Sequence, residues 1–385
     1  MTPGLGPTRY ETERLRADTK GRTLLTSVPE ESLEGRMHAY ETFEEDMDPS
    51  RFAAREFYTS GGHSIIYKSV DSKTGFLVAL KRHIHFMPET DDPQEIREAE
   101  KRFRCDANAL ARFGKRPGHS GHPGVVNAYG CFIREEDGEI VPYLVMELLN
   151  GESMGKKLAR GEGFTEKEIR EYLISVGSVT DFMHTANGKP VIYRDLKPSN
   201  TIIMPGDPEW PVRLVDFSES KIGNATFDSG SVKGTFGYAA PEQFGSAEAD
   251  PSTDRYSLAK IGIAMALQDE QKFKDLWFNM VTLRELHASG NLPISEDLLR
   301  VFERATERKR EDRYGSFQEM AHDMGYDLRR TPTTRQELEE VLRGHSGLPA
   351  QALSSNAVAN ASSSSRNLTH TDGKGHYNAV TSILK

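Results

Sequence analysis

Between Val191 and Asn200 the chain reads VIYRDLKPSN, which sets a carboxylate, an ammonium and an amide (Asp195, Lys197 and Asn200) within six residues. These types suit the transfer of a charged group to a hydroxyl. A carboxylate can accept and orient the hydroxyl, a lysine can offset charge on a phosphoryl in flight, and an amide oxygen can hold a Mg²⁺ ion. Pro198 stiffens the turn between them by fixing its own φ. The plainer alternative is a charged loop after a buried strand. A further carboxylate, Asp216 in Asp216-Phe217-Ser218, and a lysine, Lys81 at the end of Val78-Ala79-Leu80-Lys81, widen the set of groups able to meet a phosphate or its metal.

The elements that must position these groups can be read from pattern. Ser64–Val70 and Phe76–Leu80 are short β-prone runs joined by Asp71-Ser72-Lys73-Thr74-Gly75, a hairpin turn with a glycine. Residues 94–113 form a helix, charged on one face and carrying Ile96, Phe103, Ala107 and Leu110 on the other. Gly130–Ile133 and Pro142–Leu148 read as strands. Thr165–His184 is a helix opened by a capping box of Thr165 with Glu168, and Ile169, Tyr172, Leu173, Val176, Val179 and Met183 make its buried stripe. It delivers the chain to Val191–Asn200. A hairpin follows, Thr201–Met204 with Val212–Val215, and Thr331–Arg343 reads as a short helix.

Composition bounds the function. With 385 residues, 36% hydrophobic and 28% charged, the chain is an ordinary globular one, and its net charge of −9 argues against a nucleic-acid binder. No apolar run approaches the ~20 residues of a membrane helix, and no basic region followed by an apolar stretch opens the chain, so no signal peptide is expected. Two cysteines, Cys105 and Cys131, suit a reducing cytoplasm. His83, His85, His119 and His122 have no cysteine at ligand spacing, which disfavours zinc. Residues 1–50 read as an acidic extension, in part disordered, with a helix over Ser32–Glu45 as the alternative; the Ser/Asn/Ala-rich segment after Gly344 reads as a flexible tail.

The motifs taken together resemble those of eukaryotic-type serine/threonine protein kinases, most of all the bacterial members, over roughly residues 52–325. Asp195-x-x-x-x-Asn200 has the spacing of the kinase catalytic loop, with Tyr193 in place of its histidine. Thr59–Ser64 resembles the Gly-rich loop, aligned on Ile66, although only Gly61 of the three glycine positions is kept and Thr59 and Ser64 fill the others; Gly62 lies beside it. Lys81 resembles the strand lysine, Asp216 the D-F-G aspartate with Ser218 for its glycine, and Gly234–Glu242 the G-T-x-x-Y-x-A-P-E segment. Asp254 resembles the aspartate that braces the catalytic loop, and Arg313 the arginine that pairs with Glu242.

The resemblance implies an α+β, bilobal fold: a small antiparallel sheet with one helix over 51–149, then a mainly helical lobe over 150–328, a short helical segment over 329–343 and the tail. It implies transfer of the γ-phosphoryl of ATP to protein Ser or Thr hydroxyls, autophosphorylation included. Asp195 would orient the nucleophile. Lys197 and Lys81 would stabilise phosphate charge, and Asn200 and Asp216 would hold Mg²⁺, with Mn²⁺ able to replace it. Arg194 would receive a phosphate carried by Thr226, Ser229 or Ser231. Ala79, Ile66, Met146 as gatekeeper, Glu147 and Leu149 at the hinge, and Ile202 as floor would enclose adenine. Asp106 would pair with Lys81 from the helix, where the family has glutamate, with Glu98 or Glu100 as alternatives. Two other readings stand beside this one: a pseudokinase scaffold, suggested by Thr59, Ser64, Asp106, Tyr193 and Ser218, and a small-molecule phosphotransferase, disfavoured by the protein-substrate platform Gly234–Glu242.

Overall fold

The structure, a computed structural model, describes residues 43–44, 46–61, 64–83, 93–116, 119, 121–136, 139–185, 189–222, 235–244, 249–278 and 280–344. Most of the acidic extension, the hydroxyls Thr226, Ser229 and Ser231 expected to carry phosphate, Gly62 and the tail after Gly344 lie outside these residues.

Alternating apolar and polar positions and a turn that supplies its own hydrogen bonds build the first sheet. Strands β1 (Arg55–Ser60), β2 (Ser64–Val70), β3 (Leu77–His83), β4 (Ala128–Glu136) and β5 (Glu139–Glu147) lie in the order β1-β2-β3-β5-β4, all antiparallel. The β2–β3 turn is held by Asp71, whose carboxylate accepts the Lys73 N–H at 3.0 Å, while Gly75 takes a left-handed φ of 80° that a side chain would resist. Lys81 therefore sits in the middle strand of the sheet. Helix α1 (Pro93–Phe113) packs Leu110 and Phe113, both buried, into the core behind it.

The boundary drawn at residue 51 falls inside an element. Glu44 donates its N–H to the Tyr129 carbonyl at 3.0 Å and accepts from the Cys131 N–H at 2.9 Å, and Met47 donates to the Cys131 carbonyl at 2.9 Å. The segment thus lies along the outer edge of β4, with Met47 and Phe52 buried. A Cβ on Gly130 would stand 2.2 Å from the Glu44 carbonyl oxygen, so this close approach requires glycine.

The second half is helical. A short strand, β6 (Glu152–Ser153), precedes helix α2 (Met154–Ala159), which leads to α3 (Glu166–Thr185), and the Thr165–Glu168 capping box forms: the Glu168 N–H reaches Thr165 Oγ1 at 3.2 Å and the Thr165 N–H reaches Glu168 Oε2 at 2.7 Å. The expected stripe is buried except Tyr172, which is half-buried. Helix α4 (Pro251–Leu267) is buried from Ser252 to Leu267 and forms the centre of this half. Around it lie α5 (Glu270–Trp277), α6 (Leu283–Ala288), α7 (Glu296–Ala305) and α8 (Phe317–Asp323). Gly177 of α3 faces Phe317 so closely that a Cβ would meet its ring at 2.0 Å. The last helix, α9, covers Arg335–Arg343, starting later than Thr331 because Thr334 is its cap, boxed with Glu337, and Leu338 anchors it in the core. Among the described residues no helix is long and apolar enough to cross a membrane.

Arg313 and Glu242 form a bidentate ion pair at 2.8 and 2.9 Å, with side chains 0% and 5% exposed. Breaking such a pair leaves a buried charge uncompensated, which costs about 3–5 kcal/mol. Glu242→Ala is therefore expected to lower unfolding free energy by that order in a denaturant titration; a loss below ~1 kcal/mol would show that the pair contributes little here.

Candidate active site

Strand β7 (Val191–Ile192), paired with β10 (Lys221–Ile222), feeds the loop Tyr193–Lys197 and a short 3-10 turn, Pro198–Asn200. The hairpin β8 (Thr201–Ile203) and β9 (Val212–Leu214) follows. The loop is braced by the fully buried Asp254, whose carboxylate accepts the N–H groups of Tyr193 and Arg194, each at 2.8 Å, and meets His184 Nε2 at 2.7 Å. Arg194 holds a φ of 71°, uncommon for a residue with a side chain, and those bonds, with Gln243 Nε2 donating to its carbonyl at 2.8 Å, offset that strain. Tyr193 bonds through its hydroxyl to the Val215 carbonyl and stands edge-on to Phe217, with ring centres 5.0 Å apart. The residue in place of histidine thus couples the loop to Asp216-Phe217-Ser218.

The reactive groups are drawn together by side-chain bonds. Asp195 Oδ1 accepts from Thr235 Oγ1 at 2.9 Å. Its Oδ2 meets Lys197 Nζ at 2.7 Å and Asn200 Nδ2 at 3.0 Å. Lys197 Nζ also donates to Thr235 Oγ1 at 2.7 Å, so Asp195, Lys197 and Thr235 close a triangle. Burial raises the Asp195 carboxyl above its ordinary range, partly offset by the Lys197 ammonium. Asn200 spends its amide N–H groups on Asp195, at 3.0 Å to both the carbonyl and Oδ2, and its amide oxygen accepts no hydrogen bond among the described residues.

From the sheet side, Lys81 is ion-paired with Asp106 of α1 and donates to Asp216 Oδ1 at 2.8 Å. Asp106 is 0% exposed; its Oδ1 accepts the Phe217 N–H at 2.9 Å and its Oδ2 lies 3.3 Å from His83 Nε2. Burial alone would lower the Lys81 ammonium, but the carboxylates of Asp106 and Asp216 outweigh it and hold it above the usual lysine range. Burial would raise both acids; Lys81 overrides it and holds both below the usual carboxylate range. Glu98 faces away: its side chain is 41% exposed and its carboxylate lies 3.5 Å from Arg102. The side chain of Glu100 lies outside the described residues. Ser218 gives Asp216 something glycine could not, a hydroxyl bond to Oδ1 at 2.7 Å, while Asp216 itself takes a φ of 64°.

A family model for the protein kinase domain matches residues 58–324, well over half of the chain. The chain belongs to the protein kinase domain family. The kinase domain is similar to serine/threonine-protein kinase PknA of Mycobacterium tuberculosis, 30% identical over 215 residues, which are 55% of this chain and 46% of that protein. It is also similar to serine/threonine-protein kinase B of a Synechocystis species, 30% identical over 40% of this chain and 26% of the relative, and to kinase F of the same genus, 30% identical over 46% and 35%. The chain thus spans less than half the length of these relatives.

The remaining predicted residues of the kinase domain lie on the first sheet, at its end, and on the hairpin after the loop. Cross-strand register sets Ala79 opposite Met146 and Ile66 opposite Lys81. Ala79 and Met146 are buried; Ile66 and Leu149 are half-buried against the same core. Ile202 in β8 faces Ser153 across the sheet. Glu147 is turned inward: its N–H donates to the Asn127 carbonyl at 2.9 Å and its carboxylate accepts from Asn127 Nδ2 at 3.1 Å, so the side chain staples the hinge to the turn before β4. Burial raises its carboxyl above the ordinary range. Gly61 donates its N–H to the Ser64 carbonyl at 2.8 Å, beyond the last β1–β2 pair, Ser60 with Ile65. The described turn residues Gly61 and Ser64 flank Gly62, which lies outside the described residues.

Sequence reading missed Thr235 as a direct partner of Asp195, Ser218 as a donor to Asp216 and His83 as a neighbour of Asp106. Thr235 lay inside a recognised segment and could have been found; the role of His83 has no local signal.

Proposed function

We propose that this protein is an ATP-dependent serine/threonine protein kinase that moves the γ-phosphoryl of ATP to Ser or Thr hydroxyls of proteins, its own chain among them. The observation that carries the reading is the Asp195–Lys197–Thr235 triangle set beside the Lys81–Asp106–Asp216 cluster: every charge the reaction needs is present and held by a partner. The same observation weighs against a scaffold that only binds nucleotide, since a shortened Asp106 still reaches Lys81.

In the reaction the acceptor oxygen bonds to the γ-phosphorus as the bond to the β-phosphate oxygen breaks, ADP leaves, and the hydroxyl proton passes to Asp195. A carboxyl raised by burial is the better proton acceptor. Lys197 offsets charge on the moving group, and Lys81 holds the α- and β-phosphates. The amide oxygen of Asn200 and the Asp216 Oδ2, which takes no hydrogen bond among the described residues, are hard donors that fit Mg²⁺ or Mn²⁺, and the Val215 N–H, bonded to the Asn200 carbonyl at 3.0 Å, keeps the two residues together. An ion held by these two residues would supply positive charge against the phosphates of the nucleotide. Two free cysteines accord with a cytoplasmic location. The test is incubation with labelled ATP and Mg²⁺, then phosphosite mapping on the protein and on added Ser/Thr substrates. Nucleotide binding without transfer to either would leave the scaffold reading standing instead.

A further inference from the structure

Lys81 and His83 stand two residues apart on β3, so their side chains share one face of the sheet. Both reach the same carboxylate. Lys81 is ion-paired with Asp106, and His83 Nε2 lies 3.3 Å from Asp106 Oδ2. The imidazole also stands edge-on to Phe103, with ring centres 5.6 Å apart. Phe103 and Asp106 are three residues apart on α1 and neighbours on its surface. His83 therefore meets the helix at two points about a turn apart, while its pairing with Ser64 ties its backbone into the sheet.

His83 is the anomaly of this cluster. Its side chain is 3% exposed, yet neither ring nitrogen makes a hydrogen bond among the described residues. An enclosed polar ring short of partners costs free energy that a hydrocarbon of the same shape would not. Packing alone is thus a poor account of it. What the ring does have is a carboxylate oxygen close by. At 3.3 Å two lone pairs would repel, so Nε2 turns its N–H toward Oδ2. Burial would raise the Asp106 carboxyl; the Lys81 ammonium and then the imidazole act against it and keep it charged.

The duties of Asp106 supply the reason for such a neighbour. Its Oδ2 serves Lys81 and its Oδ1 accepts the Phe217 N–H at 2.9 Å, so one short side chain ties the strand lysine to Asp216-Phe217-Ser218. Both bonds are made only if the carboxylate keeps one orientation. The imidazole abuts the oxygen that Lys81 uses and limits its rotation. It also fills room beside a residue that is 0% exposed, room that a longer acid at this position would need.

We infer that His83 is a positioning residue for phosphoryl transfer: its ring and N–H hold the carboxylate of Asp106 in the orientation that serves Lys81 and the Phe217 N–H together. Residues 83 and 106 form a pair matched in size. The inference rests on the kinase reading above.

The test follows transfer by the full chain to a Ser/Thr peptide, with ATP and peptide varied in turn. His83→Leu keeps bulk but offers no N–H to Oδ2. It is expected to lower kcat/KM for ATP by about tenfold and to leave KM for the peptide unchanged, since a misplaced group costs rate rather than acceptor binding. His83→Gln, whose amide N–H can stand in for that of Nε2, is expected to stay within about threefold of the unaltered protein. The size match is tested by joining His83→Ala to Asp106→Glu. Each change alone lowers transfer, and the double variant is expected to exceed both single ones. The inference falls if His83→Leu transfers as fast as His83→Gln, and it falls if the double variant is no faster than the slower single one. The two comparisons use different substitutions, so either decides should a variant in the other fail to fold. An unaltered protein that transfers neither to peptide nor to itself would count against the kinase reading instead.

Discussion

Asp195→Ala is expected to lower phosphoryl transfer on the order of 10²–10⁴-fold, the usual contribution of a positioned proton acceptor, with the fold retained. The structure explains why the fold should survive. Lys197 and Thr235 remain bonded to each other when the carboxylate goes, and the loop backbone is held from below by Asp254 rather than by Asp195. Asp216→Ala is expected to be as damaging for a different reason: it removes the carboxylate oxygen best placed to hold the metal, while Lys81 keeps Asp106 as a partner. The two changes should separate in binding. Asp195→Ala keeps affinity for Mg²⁺·ATP; Asp216→Ala loses the metal-dependent part of it. Near-normal transfer by purified Asp195→Ala protein would sink the assignment.

Asp106→Ala is the second large effect. It leaves the buried Lys81 with Asp216 alone and removes the acceptor of the Phe217 N–H, so transfer should fall by about two orders of magnitude or more and stability should drop as well. Asp106→Glu restores the charge but adds a methylene at a fully enclosed site, so it should keep transfer well above the alanine variant at a stability cost of about 1–3 kcal/mol. Lys81→Arg should fail, because a planar guanidinium cannot reproduce a compact ammonium between two fixed carboxylates. Glu98→Ala should be silent, as Glu98 is turned to Arg102. The decisive comparison is the transfer rate of Asp106→Ala beside Glu98→Ala and Glu100→Ala. A silent Asp106→Ala with a damaging glutamate change would show that the pairing of α1 with β3 differs in the working enzyme.

The residues legible in the sequence are those whose type the chemistry restricts. Asp195, Lys197, Asn200, Lys81 and Asp216 stand at spacings that few other tasks require, and the capping box at Thr165 announces its helix locally. What stayed hidden is held by contacts between distant parts of the chain. His83 reads as one more polar residue at a strand end until α1 brings Asp106 and the edge of Phe103 against it, ring centres 5.6 Å apart. Ser218 looks like a plain loss of glycine until its hydroxyl is seen on Asp216. Asp106 lies between these cases: its place in the helix pattern was readable, but whether a shorter side chain could reach Lys81 depends on how closely α1 approaches the sheet.

The segment seated on β4 has a consequence for how short this protein can be made. Strand β4 ends the sheet, and its outward N–H and carbonyl groups around Tyr129–Cys131 are met by Glu44 and Met47, while the Arg134 guanidinium grips the carbonyl of Pro49 at 2.6 Å and that of Phe52 at 3.3 Å. A version begun at the first recognisable kinase strand would bare that row of groups, beside the exposed Ile133, on the edge of β4 that faces away from β5. An open edge of this kind recruits strands from other molecules. Residues 43–52 thus act as a guard against self-association, and the working unit of this fold starts ahead of its first sheet strand.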